Sequence, residues 1–165
     1  MVLTLAAAAL LNAAAAQSLI STDQLPNLFI AACFDGSVRM SGGDATPIPF
    51  SELPAALRRR LGSPSAAKVW KLRGGDPSYL YLLDYAGRSN PKICGVAAEN
   101  MALRSASAVV ETRLYGRPAS AELAKSTEWL NVAQGYKALA TRAGGYTILQ
   151  VNWLAPKLAE VPQTQ

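Results

Sequence analysis

Few residues in this chain have side chains suited to chemistry, and their types restrict it further. The 165 residues include no histidine, which removes both the commonest general base and the commonest metal ligand near neutral pH. The acids are scattered. Asp35 and Asp44 flank a glycine-containing stretch but lack the ligand spacing of a calcium loop, so neither a metal ion nor another cofactor is expected. A serine nucleophile would need Lys, Asp or Glu as its base. Ser63-Pro64-Ser65 followed by Lys68 is one such arrangement, but it leads into an extended segment, whereas a Ser-Lys dyad needs its serine at a helix start. No catalytic residue is assigned.

Three constellations remain. Arg58, Arg59 and Arg60 are consecutive; on a helix about 100° separates successive side chains, so they fan out and suit a diffuse anionic surface better than one phosphate. Nine of the 16 basic residues lie in 39–92 beside four acids, and the whole net charge of +5 resides there. That asymmetry attracts anionic partners, although Lys and Arg also guard strand edges. The run Tyr79-Leu80-Tyr81-Leu82-Leu83-Asp84-Tyr85 alternates, placing Tyr79, Tyr81 and Tyr85 on one side of a strand and Asp84 on the other. The tyrosines either line a groove or lie beneath a covering helix with hydroxyls at its rim. The candidate binding residues are therefore Arg58, Arg59, Arg60, Tyr79, Tyr81 and Asp84. The third constellation is the pair Cys33 and Cys94, 61 positions apart.

The elements that must position these residues follow from periodicity. Leu25, Leu28, Phe29, Ala32 and Cys33 recur at helical spacing, with Asp23 as the expected cap, Pro26 in the first turn and Gly36 as the stop. Residues 40–49, with two glycines and two prolines, read as a loop. Ser51 is the expected cap of a second helix carrying Leu53, Leu57 and Leu61, with the arginines in its last turn and Gly62 ending it. Strands are expected over 67–73, 79–85 and 92–97, a helix through Leu103, Ala106, Ser107, Val110 and Leu114 to Gly116 and Pro118, and an ambiguous stretch at 119–128. Trp129–Thr141 and Tyr146–Leu154 read as two further strands around the turn 142–145. The expectation is an α+β domain with a single antiparallel sheet of about five strands, helices packed on one face, in the order α-α-β-β-β-α-β-β.

The start of the chain resembles an export signal. Val2–Leu11 is uncharged and apolar, and Ala14 and Ala16 satisfy a peptidase that cuts before Gln17. The run is too short to span a bilayer, which takes roughly 20 residues. No basic residue precedes Arg39, so the positive end is either the α-amino group or lies upstream. The expected division is a signal peptide over 1–16 and a globular domain over 17–165, without a transmembrane anchor. In an oxidising compartment a lone cysteine pair forms a disulfide; the alternative is two separate buried thiols. Cys33 on the apolar side of the first helix and Cys94 in the third strand suit a bond that pins one to the other.

The Ala-rich leader, the helix carrying Phe29 and Cys33, and the strand Lys92-Ile93-Cys94-Gly95-Val96 resemble small exported proteins of unknown function from Gram-negative bacteria. The resemblance implies a periplasmic location and one disulfide, and no activity or site residues. The functional expectation is a non-enzymatic periplasmic or secreted domain that binds an anionic envelope component or an acidic protein; export argues against nucleic acid. The alternatives are an enzyme with carboxylate, Tyr or Lys chemistry in a cleft beside Tyr79–Tyr85, or a purely structural envelope protein. Asp84, Tyr79, Tyr81 and a cation converging in one deep pocket would favour the enzyme, and a flat basic or apolar patch would favour binding.

Overall fold

Among the described residues ten helices and strands follow one another: α1 Leu25–Cys33, β1 Ala45–Ile48, α2 Ala55–Leu61, β2 Ala66–Leu72, β3 Ser78–Asp84, β4 Lys92–Glu99, α3 Leu103–Tyr115, β5 Glu128–Asn131, β6 Tyr136–Ala143 and β7 Tyr146–Trp153. This is a computed structural model, which describes residues 19–36, 43–87, 92–115 and 127–153. The expected signal peptide with its expected cleavage site, Arg39, the expected stop at Gly116 and Pro118, most of the ambiguous stretch and the tail beyond Trp153 lie outside the described residues.

All seven strands form one open sheet in the order β1-β2-β3-β4-β7-β6-β5, and every neighbouring pair is antiparallel. The α+β class and the single antiparallel sheet match the expectation; the strand count and the element order do not. Two strands account for the difference. Residues 45–48, read as loop, pair with β2 as an edge strand, Ala45 opposite Leu72 and Ile48 opposite Val69. Pro47 is tolerated there because an edge strand needs only half its backbone donors. The run from Trp129, read as one strand, folds back on itself. The Asn131 side chain accepts a hydrogen bond from the Gln134 N–H at 2.9 Å, a local side-chain-to-backbone bond that closes the turn, and Gly135 supplies the positive φ of 72° that completes it.

The helix starts also differ from expectation. Ahead of α1, Thr22–Gln24 forms a 3-10 turn in which the Ser21 N–H donates to Gln24 Oε1 at 2.9 Å, so the polar start is closed by Gln24 and not by Asp23. Leu53 precedes a proline and is held extended at φ −60°, ψ 146°, as the proline ring requires. That break separates a 3-10 turn over Phe50–Glu52 from α2, which begins at Ala55 instead of being capped by Ser51. Gly62 ends α2 with φ 75°, as read from the sequence.

The helices occupy both faces of the sheet, and not one. On the first face α1 lies against β4, β7 and α3, and α3 against β6. Phe29, Ile30, Val96, Val110, Leu149 and Val151 fill the core between them. On the second face the Leu53, Leu57 and Leu61 stripe covers Val69, Tyr79, Tyr81, Leu83 and Ile148. A strand such as β3, apolar on both sides, can be buried only by a layer on each. α2 also seats against the β6–β7 turn: a Cβ on Gly144, at φ +54°, would meet Ala56 Cβ at 2.3 Å.

Cys33 and Cys94 form a disulfide, with Cα atoms 5.5 Å apart. It joins the last residue of α1 to the central strand β4. Closing a loop across 61 positions stabilises the fold by about 4 kcal/mol in the chain-entropy account. The Trp153 indole N–H donates to the Cys33 carbonyl at 3.2 Å, so the end of α1 is tied to both β4 and β7.

Candidate functional site

The residues singled out in the sequence fall on opposite faces of the sheet. Tyr79 and Tyr81 lie beneath α2 and are buried, so they line no groove. Register explains how Tyr81 is accommodated. Tyr81 pairs with Gly95 and Gly95 with Gln150, and all three share one face. The tyrosine ring lies across Gly95 and its hydroxyl donates to Gln150 Oε1 at 3.2 Å. A Cβ on Gly95 would come within 2.5 Å of that hydroxyl and 2.7 Å of the Leu149 carbonyl oxygen, so glycine is required for the crossing. Gln150 passes the network on, its Nε2 donating to Asn152 Oδ1 at 2.7 Å.

These hydroxyls are held neutral. Burial raises Tyr81 far above the ordinary phenol range; the neighbouring Tyr85 adds to the rise and Arg60 opposes it. Burial likewise raises Tyr79, with Glu99 adding to it. Tyr146, whose ring centroid lies 6.1 Å from that of Tyr79, is raised by burial and then by its hydrogen bond to Glu99. Tyr85 is raised by burial, and its hydroxyl donates to the Leu61 carbonyl at the end of α2. A phenol in this state keeps its proton and can donate a hydrogen bond.

Arg58, Arg59 and Arg60 are exposed in the last turn of α2. Arg58 Nε donates to the Leu53 carbonyl at 3.0 Å, which satisfies the carbonyl left free where Pro54 breaks the chain's helical path. Arg58 and Arg59 line an open depression of about 490 Å³ with Ser51, Ala55, Gly62 and Ser63. No described carboxylate lies within ion-pair range of the three arginines. The depression thus offers two guanidinium groups and two hydroxyls, all suited to oxygen anions.

Asp84 is exposed at the end of β3, on the α1 face. Its backbone carbonyl accepts both the Ser65 N–H at 2.8 Å and the Ser65 hydroxyl at 3.0 Å, which occupies that serine in holding β2 to β3. Asp84 stands at a groove of about 390 Å³ together with Lys68, Leu82, Lys92, Cys94 and Trp153. Strand alternation puts Leu82 on the same face as Asp84, whereas the approach of Lys68, Lys92 and Trp153 depends on the register of four strands. Among the described residues no three His, Cys, Asp or Glu side chains form a metal-binding group, and no helix is long and apolar enough to cross a membrane. No protein-family model, curated protein or solved structure matches the chain.

Proposed function

We propose that the chain is an exported, non-enzymatic binding domain that takes an anionic envelope component on its α2 face. The observation that carries this reading is the open depression in which Arg58 and Arg59 stand exposed beside the Ser51 and Ser63 hydroxyls. Its width and openness suit a headgroup or polymer surface with repeated charges, where many weak contacts add up. The net charge of +5 works in the same direction by raising the encounter rate. An oxidising, periplasmic or secreted location is supported by the disulfide between Cys33 and Cys94 and by the apolar leader over 2–11. The enzyme reading lacks its convergence: Asp84 shares a groove with lysines, while Tyr79 and Tyr81 are buried on the other side of the sheet.

Retention of the mature protein on phosphatidylglycerol vesicles tests the reading. Replacing Arg58, Arg59 and Arg60 together with Gln is expected to weaken retention and flatten its salt dependence, since exposed charges are screened within about 10 Å at 0.1 M salt. Because Arg58 also holds the Leu53 carbonyl, the pair R59Q/R60Q, which leaves that bond intact, is expected to show the same direction of change. Unchanged retention in both variants contradicts the assignment.

A further inference from the structure

The groove on the opposite face is a built feature with no role in the anion-binding surface. Strand register assembles it. Lys68 pairs with Leu82 and Leu82 with Cys94; one step along, Ala66 pairs with Asp84 and Lys92 with Trp153. These side chains therefore stand on one face of β2, β3, β4 and β7 at one end of the sheet. Ala32 and Cys33 at the end of α1 form the wall. The disulfide and the Trp153 hydrogen bond to the Cys33 carbonyl hold that wall in position. At the floor Leu82 is 40% exposed, within a strand whose residues 78–81 are all buried. The volume of about 390 Å³ falls in the range of small-molecule sites.

The charge at the mouth selects the ligand class. Lys68, Lys92 and Asp84 are exposed, and none of them has an ion-pair partner among the described residues. Together they carry one net positive charge. We infer that this groove binds a small amphipathic monoanion, an apolar chain or ring bearing one carboxylate, with the apolar body on Leu82, Trp153 and the disulfide and the carboxylate between the two lysine ammoniums. A single negative charge neutralises the mouth, whereas a second would face Asp84. The long lysine stems reach over the apolar floor while their ammoniums stay in water, which places the cations where the head of such a ligand emerges.

Decanoate is the probe, titrated into the full mature chain with tryptophan fluorescence and amide chemical shifts as readouts. Saturable binding is expected, with shifts at Lys68, Leu82 and Trp153. Leu82→Glu puts a charge on a floor position that is already partly exposed, and is expected to weaken binding by roughly ten-fold or more. K68Q/K92Q is expected to weaken it about two- to five-fold, and D84N to tighten it by up to about five-fold, the range for exposed charge pairs. Decanol should bind more weakly and ignore K68Q/K92Q. R59Q/R60Q should leave decanoate binding unchanged, so this site and the α2 surface fail or stand separately. The inference is overturned if decanoate does not saturate, if Leu82→Glu leaves its binding intact, or if decyltrimethylammonium binds as well as decanoate. Binding that appears only after residues 154–165 are removed would assign the groove to the chain's own C-terminal segment and would equally overturn it.

Discussion

Gly95 and Tyr81 show how much one position in this sheet decides. The tyrosine reaches Gln150 across the middle strand only because the residue between them has no side chain. Gly95→Ala should lower stability by about 1–3 kcal/mol, the usual penalty for overpacking a filled core, as read by urea unfolding. Tyr81→Phe keeps the volume but leaves Gln150 Oε1 without its donor, and should lower it by about 1–2 kcal/mol. The same burial dictates the alkaline limit. Tyr79, Tyr81, Tyr85, Tyr136 and Tyr146 are all raised above the usual phenol value in the folded state. In the unfolded chain they ionise near pH 10. Below that pH both states are protonated and the groups are indifferent; above it the unfolded state loses protons that the folded state keeps, so stability falls as pH rises. Unfolding followed between pH 8 and pH 12 should show a flat region and then a decline starting near pH 10. A flat profile throughout would mean that the hydroxyls are not buried as described.

Among the elements, α1 depends most on a single link. It is nine residues long, too short to persist by itself, and it is fastened at its end by the Cys33–Cys94 bond. Cys33→Ala should lower stability by about 4 kcal/mol in the entropy account, and the double replacement of both cysteines should be no worse than either single one. Two free thiols titrated in the unreduced protein would contradict the bond. This link was legible beforehand because helical spacing placed Cys33 inward and the strand placed Cys94 among Ile93 and Val96. The edge strand β1 was not legible, because Pro47 and Pro49 carry the signature of a loop and only an edge position reconciles Pro47 with pairing. The β5–β6 hairpin was hidden because its turn, Val132 to Gly135, contains a single glycine and depends on the Asn131 side chain. The second face of the sheet was only half legible, since the tyrosine side read equally as a groove or as covered by a helix. The sequence 79–83 is apolar on both sides, and periodicity does not tell a strand covered twice from one covered once.

At the scale of the whole molecule, the arginine depression and the groove at Leu82 lie on opposite faces of the sheet. The arginine surface was legible as a charge run because consecutive cations at a helix end need no tertiary knowledge to be found. The groove at Leu82 was not, since no two of its lysines, its tryptophan and its disulfide are adjacent in sequence. Docking of an anionic surface on α2 is tested most directly by amide chemical-shift mapping of the protein with phosphatidylglycerol in short-chain micelles. Shifts are expected to concentrate at Ser51, Ala55, Arg59, Gly62 and Ser63, to shrink as salt is raised, and to vanish with phosphatidylcholine. Shifts absent from these residues, or equal for both lipids, would contradict it.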